Sequence, residues 1–254
     1  MRCGICISGL ITNARNVGNN EHEKCLRIFK DAFYNKVINS KGELTIDLFC
    51  HSYTTCETDK ITEILEPTAY LYEDYQEFPD IDSSNKFKTD YAKYSSAYSV
   101  KQSVKLLTDY STKHNLTYDF VILTRYNNIL HKNTFIDLST LDTSKFYVPS
   151  YITGRQNSMP RVLDFFFITS VQYAVKYTEL FNQLDKYHKD DRTFLLLSNN
   201  KRWDNHTLKH AFLTDNEFPI ALLDFNYCRN VINYLVIRRF SKKRQTEYTD
   251  LMNE

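Results

Sequence analysis

Glycine and proline are scarce in this sequence, five of each in 254 residues, so no Gly/Ser linker, proline-rich tract or internal repeat divides it. An excess of one charge is missing as well. With 32 Lys and Arg against 31 Asp and Glu, nothing in the balance calls for a polyanionic partner, which argues against a dedicated nucleic-acid binder. The apolar opening run, Met1 to Ile11, is too short for a membrane span and carries no signal-peptidase site. The six cysteines, at positions 3, 6, 25, 50, 56 and 228, form no disulfide framework; buried free thiols in a reducing compartment are expected, and so is a cytoplasmic protein. Cys3 and Cys6 make a CxxC with no second pair to complete a zinc site. What is plentiful is core material: 42% of residues are hydrophobic and 15% aromatic, enough for one large domain or two small ones.

Alternation and helical spacing supply the elements. Ile5 to Leu10 reads as a short buried strand, after which Ser8-Gly9 opens a polar turn through Arg15. A helix is expected from Glu21 to Ile38, and Leu44, Ile46, Leu48 and Cys50 then alternate in a strand that ends at His51-Ser52. A helix over 60–65, a strand over 69–72, an acidic loop over 73–85 and a helix over 91–113 follow. The last carries a small, polar stripe of Ser95, Ser96, Ser99 and Ser103, which lets a neighbour approach closely. Further strands are predicted at 119–124, 146–149, 163–169, 220–225 and 231–238, with helices at 171–187 and 203–213. The order of elements is that of a single α/β domain over 1–240, with a charged C-terminal tail at 241–254.

Residues 118–128, Tyr-Asp-Phe-Val-Ile-Leu-Thr-Arg-Tyr-Asn-Asn, are an apolar strand that ends in an arginine and two carboxamides. Such a strand holds polar side chains at the carboxyl edge of a sheet, where open α/β folds place their ligands.

Five pieces, in order, resemble a glycosyltransferase-A-like family of bacterial polysaccharide clusters and large DNA viruses. They are the strand and Ser-Gly turn Ile5 to Gly9 with Arg15 nearby; Asp47 to Tyr53; the Ser-rich helix around Tyr94 to Ser99; Tyr118 to Asn127; and the pair Tyr147 to Pro149 and Asp164 to Ser170. The resemblance spans about Ile5 to Arg238, and no single motif is specific. It implies a Rossmann-like nucleotide-sugar-binding domain with a mixed central sheet, and transfer of a sugar from a nucleotide-diphosphate donor to a glycan or glycoconjugate acceptor. Three positions depart from the pattern: Asn127 replaces an Asp, Leu123 an Arg, and Asn205 a Glu. A neutral amide oxygen is a weaker ligand for hard cations than a carboxylate, so the Mn or Mg ion that the resemblance implies does not simply carry over.

On this reading Ser8, Gly9, Arg15, His51, Ser52, Arg125 and Asn127 hold the donor, Arg125 by bidentate contacts to phosphate. A structural ion pair is the competing reading for Arg125, and an ordinary turn residue that for Asn127. Asp164, at the head of the apolar stretch Phe165 to Ile168, is the candidate catalytic base, because burial raises a carboxyl pKa; pairing with Arg161 or another base is its alternative. Asp80-Ile81-Asp82 is the one literal Asp-x-Asp, but it stands before a helix and away from a strand end. His206 and His210 lie four apart with no third zinc ligand, and are expected at the surface. The basic run Arg238 to Arg244 suits either peripheral contact with an anionic membrane or a solvated tail. Loss of chemistry at the departures leaves a second class open, a non-catalytic relative that binds nucleotide, glycan or a protein partner.

Overall fold

The computed structural model describes residues 1–10, 23, 26–27, 29–34, 44–54, 58–78, 89–126, 128–130, 137–149, 151–152, 161–164, 166–197, 200–223 and 231–233. Arg15, Asp80 to Asp82, Asn127, the basic run and the C-terminal tail lie outside these residues.

Seven strands form the central sheet: β1 (Arg2–Ser8), β2 (Thr45–Tyr53), β3 (Ala69–Glu73), β4 (Phe120–Arg125), β6 (Phe146–Val148), β9 (Phe167–Thr169) and β12 (Ile220–Leu222), in the order β12-β6-β9-β4-β1-β2-β3. β9 is antiparallel to both neighbours, whereas the β1, β2, β3 and β4 pairings and the β6 to β12 pairing are parallel. This is the α/β class with a mixed central sheet. Among the described residues four α-helices accompany it, α1 (Thr58–Leu65), α2 (Thr89–His114), α3 (Val171–His188) and α4 (Asn205–Asp215). Three two-stranded ladders complete the described fold: β5 (Asn128–Leu130) with β13 (Val231–Asn233), β7 (Tyr151–Ile152) with β8 (Arg161–Val162), and β10 (Phe194–Leu197) with β11 (Asn200–Trp203). The β10 to β11 hairpin has no counterpart in the sequence reading, because its flanks carry no glycine or proline turn signal.

Alternation along each strand sorts the core into two layers. Ile5, Ile7, Cys50 and Ile122 pack with Ile61, Ile64 and Leu65 of α1, while Cys6, Phe49, Val121 and Leu123 pack against α2, α3 and α4. Cys3 and Cys6 fall in different layers, so the CxxC is split across the sheet, and burial raises both thiol pKa values.

The serine stripe of α2 has the packing role its small size suggests. Ser99 and Ser103 are fully buried, and the helix runs so close to β1 that a Cβ added at Gly4 would lie 2.2 Å from Leu107 Cδ1. Leu107 is itself fully buried and cannot swing into solvent. Gly4→Ala should therefore cost about 1–3 kcal/mol of overpacking, read as a lower urea midpoint at unchanged slope. At its far end α2 stops on Asn115 in the left-handed region (φ 51°), with Leu116 N–H donating to the Ser111 carbonyl at 2.9 Å and Asn115 N–H to Thr112. That is a Schellman stop, which turns the chain directly into β4.

Candidate functional site

The chain runs from β1 through β2 to β3 on one side of the sheet, then crosses back through α2 to place β4 on the other side of β1. The carboxyl ends of β1 and β4 therefore flank a topological switch point, the place where open α/β sheets form a crevice. Register sets what stands there. Ser8 pairs with Arg125 on one side and with His51 on the other, so His51, Ser8 and Arg125 make one row across adjacent strands, about 10 Å from end to end at the usual strand spacing. Their parity with Phe49, Cys6 and Leu123 puts the row on the α2, α3 and α4 side. Ser52 is buried but one residue further along, on the opposite face, with its hydroxyl donating to the Tyr53 carbonyl.

Gly9 follows β1 with φ 99°, a conformation that side chains with a Cβ rarely adopt, and its N–H donates to Ser99 Oγ at 2.7 Å. The Ser99 hydroxyl lies 2.7 Å from His51 Nδ1, and His51 Nε2 lies 2.9 Å from Glu73 Oε1. A carboxylate only accepts, so Nε2 carries the ring proton and Nδ1 accepts from Ser99. Burial lowers the His51 pKa against the opposing hydrogen bond and charge of Glu73, which keeps the ring neutral. His51 thus ties the β1 turn to α2 and β3 with both of its nitrogens engaged.

At the other end of the row lies a denser cluster. Asp164 is not at the head of a strand: β9 starts at Phe167, and Asp164 belongs to the connection from β8. Because β9 runs antiparallel to β4, that connection lies beside the carboxyl end of β4. Arg125 NH2 donates to Asp164 Oδ2, as do Lys209 Nζ at 2.6 Å and Asn205 Nδ2 at 2.8 Å. His206 Nδ1 lies 3.2 Å from Asp164 Oδ1. The carboxylate is 2% exposed, Lys209 8%, His206 28% and Arg125 30%, so Asp164 and Lys209 are buried while Arg125 and His206 reach solvent.

The expectation of a raised Asp164 pKa is overturned. Burial does push it up, but the charges of Arg125, then Lys209 and His206, together with the Lys209 hydrogen bond, outweigh burial and hold the carboxyl far below the usual range. Lys209 is shifted down by its own burial and by Arg125, against the pull of Asp164. A carboxylate so placed is a poor proton acceptor and a firm anchor for cations.

α4 positions three of these groups. Asp204 caps it, accepting from His206 N–H at 3.2 Å and from Thr207 Oγ at 3.0 Å, and one turn then carries Asn205, His206 and Lys209. The expected surface placement of the histidines fails: His210 is 8% exposed, and His206 packs onto Asp164 and the Val162 carbonyl. Lys209 was missed altogether. Its signal is helical spacing, since 205, 206 and 209 share one side of a helix that also carries Leu208, Ala211, Phe212 and Leu213. Asn128 is buried and donates to Thr124 Oγ at 2.8 Å, a role internal to the strand end.

The described residues around Arg125 do not fit a divalent cation. The carboxylate that meets Arg125 is already taken by Arg125, Lys209 and Asn205, and among the described residues no group of three His, Cys, Asp or Glu is arranged to ligate a metal. Elsewhere, a polar groove of about 310 Å³ lined by Arg27, Lys30, Asp31, Glu63, Ile64 and Glu66 lies beside the end of α1, with Arg27, Lys30, Glu63 and Glu66 each in a local ion pair, and contains none of these groups.

No family model and no curated protein matches the sequence. Among solved structures, a presumed nucleotide-diphospho-sugar transferase from Desulfovibrio desulfuricans G20 is 11% identical, with a TM-score of 0.40 over 87% of this chain and 79% of its own. Among the described residues no helix is long and apolar enough to cross a membrane.

Proposed function

We propose that this protein is a glycosyltransferase that binds a nucleotide-diphosphate sugar at the carboxyl edge of its sheet and passes the sugar to a glycan or glycoconjugate. The observation that carries this reading is the pairing of Ser8 with Arg125 at the switch point between β1 and β4, with Arg125 steered by a buried carboxylate. A diphosphate needs its charge neutralised as the bond to the sugar breaks, and an arginine at a strand end can offer two parallel donors to it. Ser8 and the Gly9 turn, His51, Arg15 and Asn127 are proposed to surround the donor, with Arg15 and Asn127 taken from the sequence resemblance, whereas Ser52 faces the other side of the sheet and is assigned to packing. Asp164 is retained as the carboxylate that holds Arg125, Lys209 and His206 in place, since its own proton affinity is too low for the role of base.

With Asn127 where a carboxylate would hold metal, phosphate charge is proposed to fall mainly to Arg125, reinforced by the field of Lys209 beneath it. Titration calorimetry with UDP, GDP and dTDP, in manganese or in EDTA, tests this. Binding of one nucleotide with a Kd that changes less than about threefold on adding EDTA is expected, a shift too small to represent a lost ligand bond. Loss of binding in EDTA would show a metal doing this work, and no binding of any nucleotide would refute the proposal. The saturated Asp164 favours a second reading, a relative that binds the nucleotide without chemistry. Binding without release of free sugar from UDP-glucose, UDP-galactose, UDP-N-acetylglucosamine or GDP-mannose would decide for it.

A further inference from the structure

We infer that His206 is the general base of the proposed transfer, oriented by Asp164; the inference rests on the transferase reading above. His206 Nδ1 lies 3.0 Å from the Val162 carbonyl oxygen and 3.2 Å from Asp164 Oδ1. Both are acceptors, so Nδ1 carries a proton, and in the neutral form of the ring Nε2 is the basic nitrogen. A histidine whose inner nitrogen is held by a carboxylate, with its outer nitrogen left for a substrate proton, is the arrangement that makes imidazole an effective base.

Among the described residues, the other candidate bases of the site are already engaged. Asp164 Oδ2 takes Arg125, Lys209 and Asn205. His51 is fully buried, with Ser99 and Glu73 on its two nitrogens. His206 keeps 28% of its side chain exposed, and its backbone is fixed by the Asp204 cap. Asp164 also joins it to Arg125, so one buried carboxylate sets the spacing between the group that takes a proton and the group that receives the diphosphate.

The step balances without a further reactant. The acceptor hydroxyl gives its proton to His206 Nε2 as its oxygen forms a bond to the anomeric carbon. The bond from that carbon to the diphosphate oxygen breaks, and its electron pair leaves with the nucleotide diphosphate beside Arg125. A single displacement inverts the anomeric configuration. The imidazolium is stabilised by Asp164 and later loses its proton to water. The charged groups brought to His206 by the described residues are Asp164, with Arg125 and Lys209 on its other oxygen, and Asp204 at the cap.

The experiment uses the full chain and whichever of UDP-glucose, UDP-galactose, UDP-N-acetylglucosamine or GDP-mannose it hydrolyses, water then standing in for the acceptor. His206→Gln should lower kcat about 100- to 10,000-fold with nucleotide affinity changed less than threefold. The acid limb of the wild-type pH–rate profile should disappear in it, and added imidazole should restore turnover to His206→Ala. Long-range proton–nitrogen NMR of the free protein should show the Nδ1–H tautomer at His206, a signature independent of turnover. Activity retained in His206→Gln, or an Nε2–H tautomer, would overturn the inference and leave the transferase reading standing. No turnover by the wild type would remove both.

Discussion

Asp164→Ala should destabilise the protein by about 3–5 kcal/mol in chemical denaturation at neutral pH, the cost of stranding buried cations without their partner. Lys209 is 8% exposed with its ammonium 2.6 Å from the carboxylate, and Arg125 donates to the same oxygen. Removal of Asp164 leaves the buried Lys209 ammonium and the part-exposed Arg125 guanidinium without the carboxylate that both contact. Asp164→Asn keeps the shape and removes the charge, so it should destabilise less than alanine but more than a surface change. The pH dependence has a definite sign. The folded-state pKa is depressed below the ordinary Asp value of about 3.9, so the stabilisation is fully present well above pH 4 and fades as pH falls, because the unfolded chain takes up the proton first. Wild type should therefore lose stability from about pH 5 downward, and the gap between wild type and Asp164→Asn should narrow over that range. A gap that stays constant from pH 7 to pH 3 would mean that Asp164 is not held ionised by its neighbours.

Arg125→Ala should weaken nucleotide-diphosphate binding about 10- to 100-fold, the scale of one or two charge-assisted hydrogen bonds, measured by calorimetry in EDTA. Asp164 keeps Lys209, Asn205 and His206 in this variant, so the fold should survive, and circular dichroism with a thermal scan provides that control. Arg125→Lys should recover little of the affinity. An ammonium is a point charge, whereas the guanidinium can donate to Asp164 and to a phosphate from different nitrogens at once. Unchanged affinity in Arg125→Ala would assign the arginine to structure alone, the ion-pair reading that its contact with Asp164 also allows.

Much of the frame was legible because the signals are local. Alternation at Leu44 to Cys50 and the apolar run before Arg125 located β2 and β4 to within a few residues, and the helical spacing over 171–187 located α3. The polar strand ends stood out for the same reason: Ser8, His51 and Arg125 each interrupt an apolar pattern within their own segment. Short strands without turn signals, such as those of the β10 to β11 hairpin, left no such trace. Asp164 was noticed for its apolar surroundings, which led to the wrong sign for its pKa. Apolar neighbours in sequence say nothing of the charges that the fold brings near, and the groups that govern its charge come from positions 125, 206 and 209.

By itself the sequence determined the α/β class, the order of most elements and the three strand ends that carry polar groups, since each depends on residues a few positions apart. Only the tertiary structure decided that those ends form one row, because register depends on pairing between β1, β2 and β4. It also decided that a carboxylate expected to gain a proton instead loses it more readily. The cations that stabilise its charge are brought to it by the antiparallel return of β9 and by the first turn of α4, and electrostatic energy follows distance in space.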